Sequence, residues 1–94
     1  MNKYKYDIIT TSQFRKEYKR AKNRGFKIEL LKEVVCLLAD GEKLPERYKD
    51  HLLTGNWFGY RECHIQPNWL LIYRIDDDVL VLTLTRTGTH SDLF

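Results

Sequence analysis

Ninety-four residues with a net charge of +3, 43% of them hydrophobic and 31% charged, have room for one hydrophobic core and not two. That balance describes a globular chain and excludes collagen, a coiled coil and a disordered tail, and no apolar run approaches the roughly 20 residues of a membrane span. Two cysteines, Cys36 and Cys63, are too few for a disulfide scaffold, and the lysine-bearing N-terminus lacks an apolar signal segment, so a reduced, cytoplasmic setting is expected.

Residues 6–10 are short and β-branched between lysines, and read as a strand. Thr11 or Ser12 then offers a hydroxyl N-cap to a helix in which Phe14, Tyr18 and Ala21 form a narrow apolar stripe. Basic side chains ring the rest of it, and Gly25 stops it. A second helix over 28–40, ended near Gly41, sets Leu30, Leu31, Val34, Val35, Leu37 and Leu38 on one broad face. Cys36 falls on its polar face as a half-exposed free thiol. Residues 44–59, with Pro45, Gly55 and Gly59, read as a loop that includes at most a short extended piece. After it the period changes to two. Strands are expected over 60–65, 69–75 and 79–87, with turns at Gln66-Pro67-Asn68 and Asp76-Asp77-Asp78. Residues 91–94 form a short tail.

The whole chain, 1–94, is therefore read as one α+β domain of order β-α-α-β-β-β. A helical hairpin packs on one face of an antiparallel sheet, the first strand adds at an edge, and the other face is left for function. Residues 1–35 hold ten Lys/Arg against four Asp/Glu, while residues 36–94 hold six against nine and contain all three histidines. The first third is a basic platform suited to a polyanion, or simply a soluble lysine-rich helix face. The remainder holds the groups that titrate near neutrality.

Metal-ligand spacing is absent. His64 follows Cys63 directly, so the two point to opposite faces of a strand, and His51, His64 and His90 match no zinc pattern. The Asp76-Asp77-Asp78 run lacks the spacing of a calcium loop. No nucleophile elbow, Walker sequence or dinucleotide fingerprint is present. An acid–base and phosphate-handling set remains. His64 lies near the end of one strand and Arg86 at the end of the last, with His90 four residues later. His51 lies in the preceding loop beside Lys49. Three imidazoles and a guanidinium on one face suit RNA cleavage, with one base for the 2′-hydroxyl, one acid for the leaving oxygen and Arg86 on the crowded phosphate. Trp69 and Phe94 offer base-stacking surfaces, and Lys49 joins them as a substrate-binding residue. The bland readings stand beside these. Trp69 shares a strand face with Tyr73 and fits a core. Arg86 shares strand parity with Leu80, Leu82 and Leu84, which turns it toward the core unless the strand bulges, and it could pair with Glu62 or the 76–78 turn.

Three segments, Tyr48-Lys49-Asp50-His51, Arg61-Glu62-Cys63-His64-Ile65-Gln66-Pro67 and Arg86-Thr87-Gly88-Thr89-His90-Ser91-Asp92-Leu93-Phe94, together closely resemble the YafQ branch of the RelE/ParE superfamily of bacterial toxins. The resemblance spans essentially the whole chain. It implies a RelE-like fold and a toxin of a type II toxin–antitoxin system that cuts mRNA on the ribosome without a metal or other cofactor. It implies a cognate antitoxin that covers the toxin, and contact with operator DNA only through that antitoxin. It places function on His51, His64, Asn68, Arg86, His90 and Phe94. The alternative on the same residues is an RNA- or ribosome-binding module that does not cut. At one position the chain departs from the family pattern. Asn68 stands where the family usually has aspartate, and an amide takes no proton near pH 7.

Overall fold

The computed structural model describes residues 4–94. In chain order it runs β1 (Asp7–Thr10), α1 (Ser12–Asn23), α2 (Ile28–Ala39), a 3₁₀ turn (Glu46–Tyr48), β2 (His51–Leu52), a second 3₁₀ turn (Gly55–Trp57), β3 (Arg61–Gln66), β4 (Trp69–Asp76), β5 (Val81–Gly88) and α3 (His90–Leu93). The strands form one sheet in the order β1-β5-β4-β3-β2.

The helices start and stop where the local chemistry requires. The Thr11 hydroxyl accepts the Phe14 N–H at 2.9 Å, which satisfies one of the free donors of the α1 N-terminus. Gly25 and Gly41 follow α1 and α2 at φ +84° and +79°, a backbone state that favours glycine. From α1, Phe14 and Ala21 are buried, and from α2, Leu31, Val34 and Leu38. They pack on Leu71, Leu82 and Leu84 of the sheet in the larger apolar cluster. Burying such a side chain contributes about 1.5–3 kcal/mol.

Four strands pair as antiparallel neighbours, but β1 pairs parallel with β5, Asp7 opposite Val81 and Thr10 opposite Leu84. The sheet is mixed where the sequence led us to expect an antiparallel one. Tight turns impose antiparallel pairing on consecutive strands only. β1 is joined to the others through two helices and meets the last strand, so no turn dictates its direction. β5 also begins two residues later than expected. Val79 and Leu80 are exposed in the turn, and Leu80 takes φ +53° there. The loop before β3 contains the short extended piece, β2, which pairs His51 with Glu62 and Leu52 with Arg61. The tail is ordered as α3. Thr89 and Asp92 cap it reciprocally, the Thr89 N–H to Asp92 Oδ2 at 2.9 Å and the Asp92 N–H to Thr89 Oγ1 at 3.2 Å.

Two bulges control which way the functional side chains point. In β3 the register passes from His64 opposite Leu70 to Gln66 opposite Trp69, leaving Ile65 extra. In β5 it passes from Leu84 opposite Tyr73 to Arg86 opposite Ile72, leaving Thr85 extra. Leu84 belongs to the helix-side cluster, whereas Ile72 clusters with Leu70 and Leu93 on the far side. The extra residue therefore transfers Arg86 to the face away from the helices, against plain strand alternation.

Candidate active face

On that face the cross-strand partners form two rows. One runs His51, Glu62, Ile72, Arg86 over β2, β3, β4 and β5. The next runs His64, Leu70, Gly88. Adjacent strands lie about 4.8 Å apart and the two rows are two residues apart along the strand, so the backbones of His64 and Arg86 are separated by roughly 12 Å, a span that side chains and a phosphodiester fill. Beyond Gly88, α3 brings His90 and Phe94 to the same end. Their rings lie 5.1 Å apart at 37°, and Phe94 is half exposed. Leu93 covers Leu70 and Ile72, which leaves an apolar floor between the polar groups.

Glu62 lies between two histidines. His51 Nε2 is 3.5 Å and His64 Nε2 is 4.0 Å from its Oε1. Its carboxylate is nearly buried, and Oε2 is buried with no hydrogen-bond partner. A buried carboxylate oxygen left unsatisfied is costly, and such groups concentrate where a ligand completes them. The loop carrying His51 is anchored from below. Asp50 accepts Arg61 Nε at 3.1 Å and Nη2 at 2.8 Å on one oxygen and the Tyr73 hydroxyl on the other. Burial first, then the hydrogen bond to Asp50, pushes the Tyr73 hydroxyl far up, so it stays a donor. Lys49 takes a left-handed backbone state, φ +49°, which turns its carbonyl to His51 Nδ1 at 2.8 Å. A carbonyl only accepts. His51 therefore carries its proton on Nδ1 and presents Nε2 to the face.

Arg86 is held at the open edge of β5. Its Nε donates to both oxygens of Glu17, at 2.9 and 3.1 Å, and its Nη2 to Oε2 at 2.6 Å. Glu17 also accepts the Thr87 N–H at 3.2 Å. β1 ends opposite Leu84, so this carboxylate from α1 replaces the missing strand beside Thr87. The hydrogen bond to Glu17 raises the Arg86 pKa further. Glu17, and not Glu62 or the 76–78 turn, is the partner of Arg86. α1 also reaches α3, where Arg24 Nη1 meets Asp92 Oδ2 at 2.8 Å.

The face gathers His51, His64 and Arg86, with Lys49 exposed beside His51, and α3, which carries His90 and Phe94, packs on it through Leu93. Asn68 is exposed in the turn between β3 and β4. Trp69 is a correction. It is 1% exposed on the helix side, its ring edge-on to Phe26 and its Nε1–H on Thr87 Oγ1 at 2.9 Å. No ring face is free to stack on a base. Cys36 is exposed as a free thiol and Cys63 is buried. Glu17 escaped the sequence reading, and Glu62 entered it only as a partner for Arg86, yet both left a signal there. Glu17 is the acidic member of a basic helix, spaced with Phe14 and Ala21 on the buried stripe. Glu62 is two residues before His64 and so shares its face. Among the described residues no group of three His, Cys, Asp or Glu side chains is arranged to hold a metal, and no helix is long and apolar enough to cross a membrane.

Residues 6–94 match the family described as bacterial toxin of type II toxin-antitoxin system, YafQ. The mRNA interferase toxin YafQ of Escherichia coli K12 is 43% identical over 94% of this chain and 95% of its own length. The toxin of the E. coli DinJ-YafQ toxin-antitoxin complex superposes with a TM-score of 0.88 at 42% identity, covering 96% of this chain and 98% of that one. A metal-bound toxin from Helicobacter pylori superposes at 0.89 with 42% identity, covering 95% and 99%.

Proposed function

This chain belongs to the YafQ family of type II toxins, and from that premise we propose that its open face cuts mRNA by acid–base catalysis. The observation that carries the reading is the two-row arrangement, in which the bulge at Thr85 brings Arg86 onto the face of His51 and His64. A base takes the proton of a ribose 2′-hydroxyl. The oxygen attacks the adjacent phosphorus, the bond to the 5′-oxygen breaks, and an acid returns a proton to that leaving oxygen. The products are a 2′,3′-cyclic phosphate and a 5′-hydroxyl. His51, with Nδ1–H committed to the Lys49 carbonyl, offers Nε2 for proton transfer. Glu62 faces the imidazolium that forms. His64 and His90 complete the proton-transfer set, Arg86 meets the phosphate, and Phe94 with Lys49 supports the nucleotide. Each positioned acid or base is worth about 10²–10⁴-fold.

The chain has a cognate antitoxin as partner. The mRNA is engaged on the ribosome in the cytoplasm, and operator DNA is reached only through the antitoxin. Asn68 orients through its amide and transfers no proton. The reaction needs no metal, because imidazoles and a guanidinium supply every charge and proton it uses.

The test is single-turnover cleavage on programmed ribosomes with a ribose or 2′-deoxyribose at the scissile nucleotide. The ribose message is cut with a cyclic phosphate end, and the deoxy message is not. Cutting continues after the protein is stripped with EDTA, with ribosomal magnesium restored. Cleavage of the deoxy message at a comparable rate overturns the 2′-hydroxyl mechanism, and loss that only a transition metal restores overturns metal independence.

A further inference from the structure

β2 covers the outer edge of β3 only at Arg61 and Glu62. Alongside the uncovered stretch from His64 to Gln66 lies a cavity of about 520 Å³. Leu30 of α2 and Ile65 form its apolar floor, and Pro67 and the 3₁₀ turn with Arg47 and Tyr48 form its walls. It opens at His64. We propose that this cavity is a substrate subsite that takes the base of the nucleotide adjoining the scissile phosphate.

Size and chemistry both fit. The volume lies in the range of small-ligand pockets and accommodates one nucleotide. An apolar floor suits the face of a base, and the exposed Gln66 amide supplies both a donor and an acceptor for its edge. Arg47 lines the cavity as well. Its guanidinium lies 4.7 Å from the centre of the Tyr48 ring, and its Nη2 donates to the Tyr48 hydroxyl at 3.0 Å. The remaining donors of that fork and the Lys49 ammonium face an incoming phosphate, against a single anion in the lining, Glu33. The cavity is also coupled to the chemistry by geometry. The backbone turn that forms its wall is the one that aims the Lys49 carbonyl at His51. An occupant is thereby placed against His64 and beside His51. A segment of the antitoxin is the competing occupant. The inference rests on the ribonuclease reading.

The experiment has two arms on the full chain. In the first, Gln66→Ala and Arg47→Ala are compared with the unmodified protein on programmed ribosomes, using messages that differ only in the nucleotide before or after the cleaved bond. Loss of a base-edge contact flattens discrimination at one flanking position by about tenfold in Gln66→Ala. Arg47→Ala raises the concentration needed for half-maximal cleavage at every flanking base. Unmodified discrimination and concentration dependence in both variants overturn the proposal. In the second arm, the free protein is titrated with a 2′-deoxy-substituted trinucleotide and the Gln66 side-chain amide is followed by NMR. A saturable shift supports the subsite even if the unmodified chain fails to cut, which would fail the ribonuclease reading alone. An amide that stays still with the trinucleotide and shifts with the antitoxin's peptide overturns the subsite and assigns the cavity to the partner.

Discussion

At the β5 side of the active face, three donor contacts of 2.6–3.1 Å lock the Arg86 guanidinium to Glu17. At the β2–β3 side, His51 and His64 stand 3.5 and 4.0 Å from Glu62, and one oxygen of that carboxylate has no partner. One half is finished before substrate arrives and the other is not. The difference follows from what each half must do. A cation that stabilises charge on a crowded phosphate works best preorganised, because nothing then has to reorient as the charge develops. Groups that exchange protons need slack, since each changes its hydrogen-bonding role during the reaction, and their contacts tighten when substrate enters. The fixed half is held by α1, which is buried against β5 and supplies Glu17 and Arg24. In the slack half, His51 rests on a two-residue strand.

The largest break in this comparison is expected from the fixed half. Arg86→Ala should lower single-turnover cleavage by about 10²–10³-fold, and Arg86→Lys should recover little of it, because an ammonium cannot keep the fork to Glu17. Glu17→Ala should cost about tenfold in rate. It should also lower folding stability by up to roughly 3 kcal/mol, since it leaves the Thr87 N–H and a partly buried guanidinium unpaired. Glu17→Gln keeps an acceptor and should fall between. The checks are chemical denaturation and cleavage at saturating protein, measured on the same preparations. An unchanged rate in a destabilised Glu17→Ala would confine Glu17 to stability and remove preorganisation from the argument.

Much of this was legible in the residues. Helix ends were fixed by local chemistry, a hydroxyl cap and two glycines, and local chemistry is what a sequence displays. The meander followed from turn residues between alternating strands. The facing of Arg86 was not legible. Alternation assigns it to the side of Leu82 and Leu84, and a bulge at Thr85 reverses that, yet nothing in Leu84-Thr85-Arg86 marks an extra residue. Trp69 shows the converse. Its position beside the candidate site suggested stacking, while its alternation with Leu70 already placed it on the helix side with Tyr73. Pairing across long separations, such as Glu17 with Arg86 or β1 with β5, is set by how the helices return the chain, and composition and periodicity do not encode that.

The slack half is sharpened by restoring a carboxylate at its rim. His64→Ala should cost about 10²-fold in the chemical step if His64 carries a proton. Asn68→Asp adds a proton acceptor and a negative charge beside the turn that follows His64, and nearby negative charge favours the cationic form of an imidazole. It should fold normally and raise cleavage severalfold, most where the carboxylate is ionised and the histidine still protonated. Rate against pH, with Asn68→Ala as the neutral control, is the measurement. Equal profiles for all three chains would show that position 68 adds nothing to the slack half.

The smallest expected effect lies at the C-terminal turn that carries His90 and Phe94, where the fixed half extends through Arg24. Asp92 titrates at about 2, below its ordinary 3.8, chiefly because Arg24 pairs with it and also because the Thr89 N–H does. A carboxyl with a lowered folded-state pKa stabilises the fold above its ordinary value, and that contribution is lost as pH falls through 3.8 toward 2. The order of α3 should therefore hold at pH 5 and fade over that window, seen as convergence of the residue 90–94 amide signals. Arg24 is 41% exposed, so Arg24→Ala should cost under about 1 kcal/mol and leave neutral-pH cleavage within a fewfold of the unmodified chain. It should nonetheless move the Asp92 titration up toward the ordinary value, while the Thr89 cap keeps it from arriving there. An Asp92 that titrates identically with and without Arg24 would show that the cap alone orders α3. The reach of α1 would then end at Glu17, and His90 would belong with the slack half of the face.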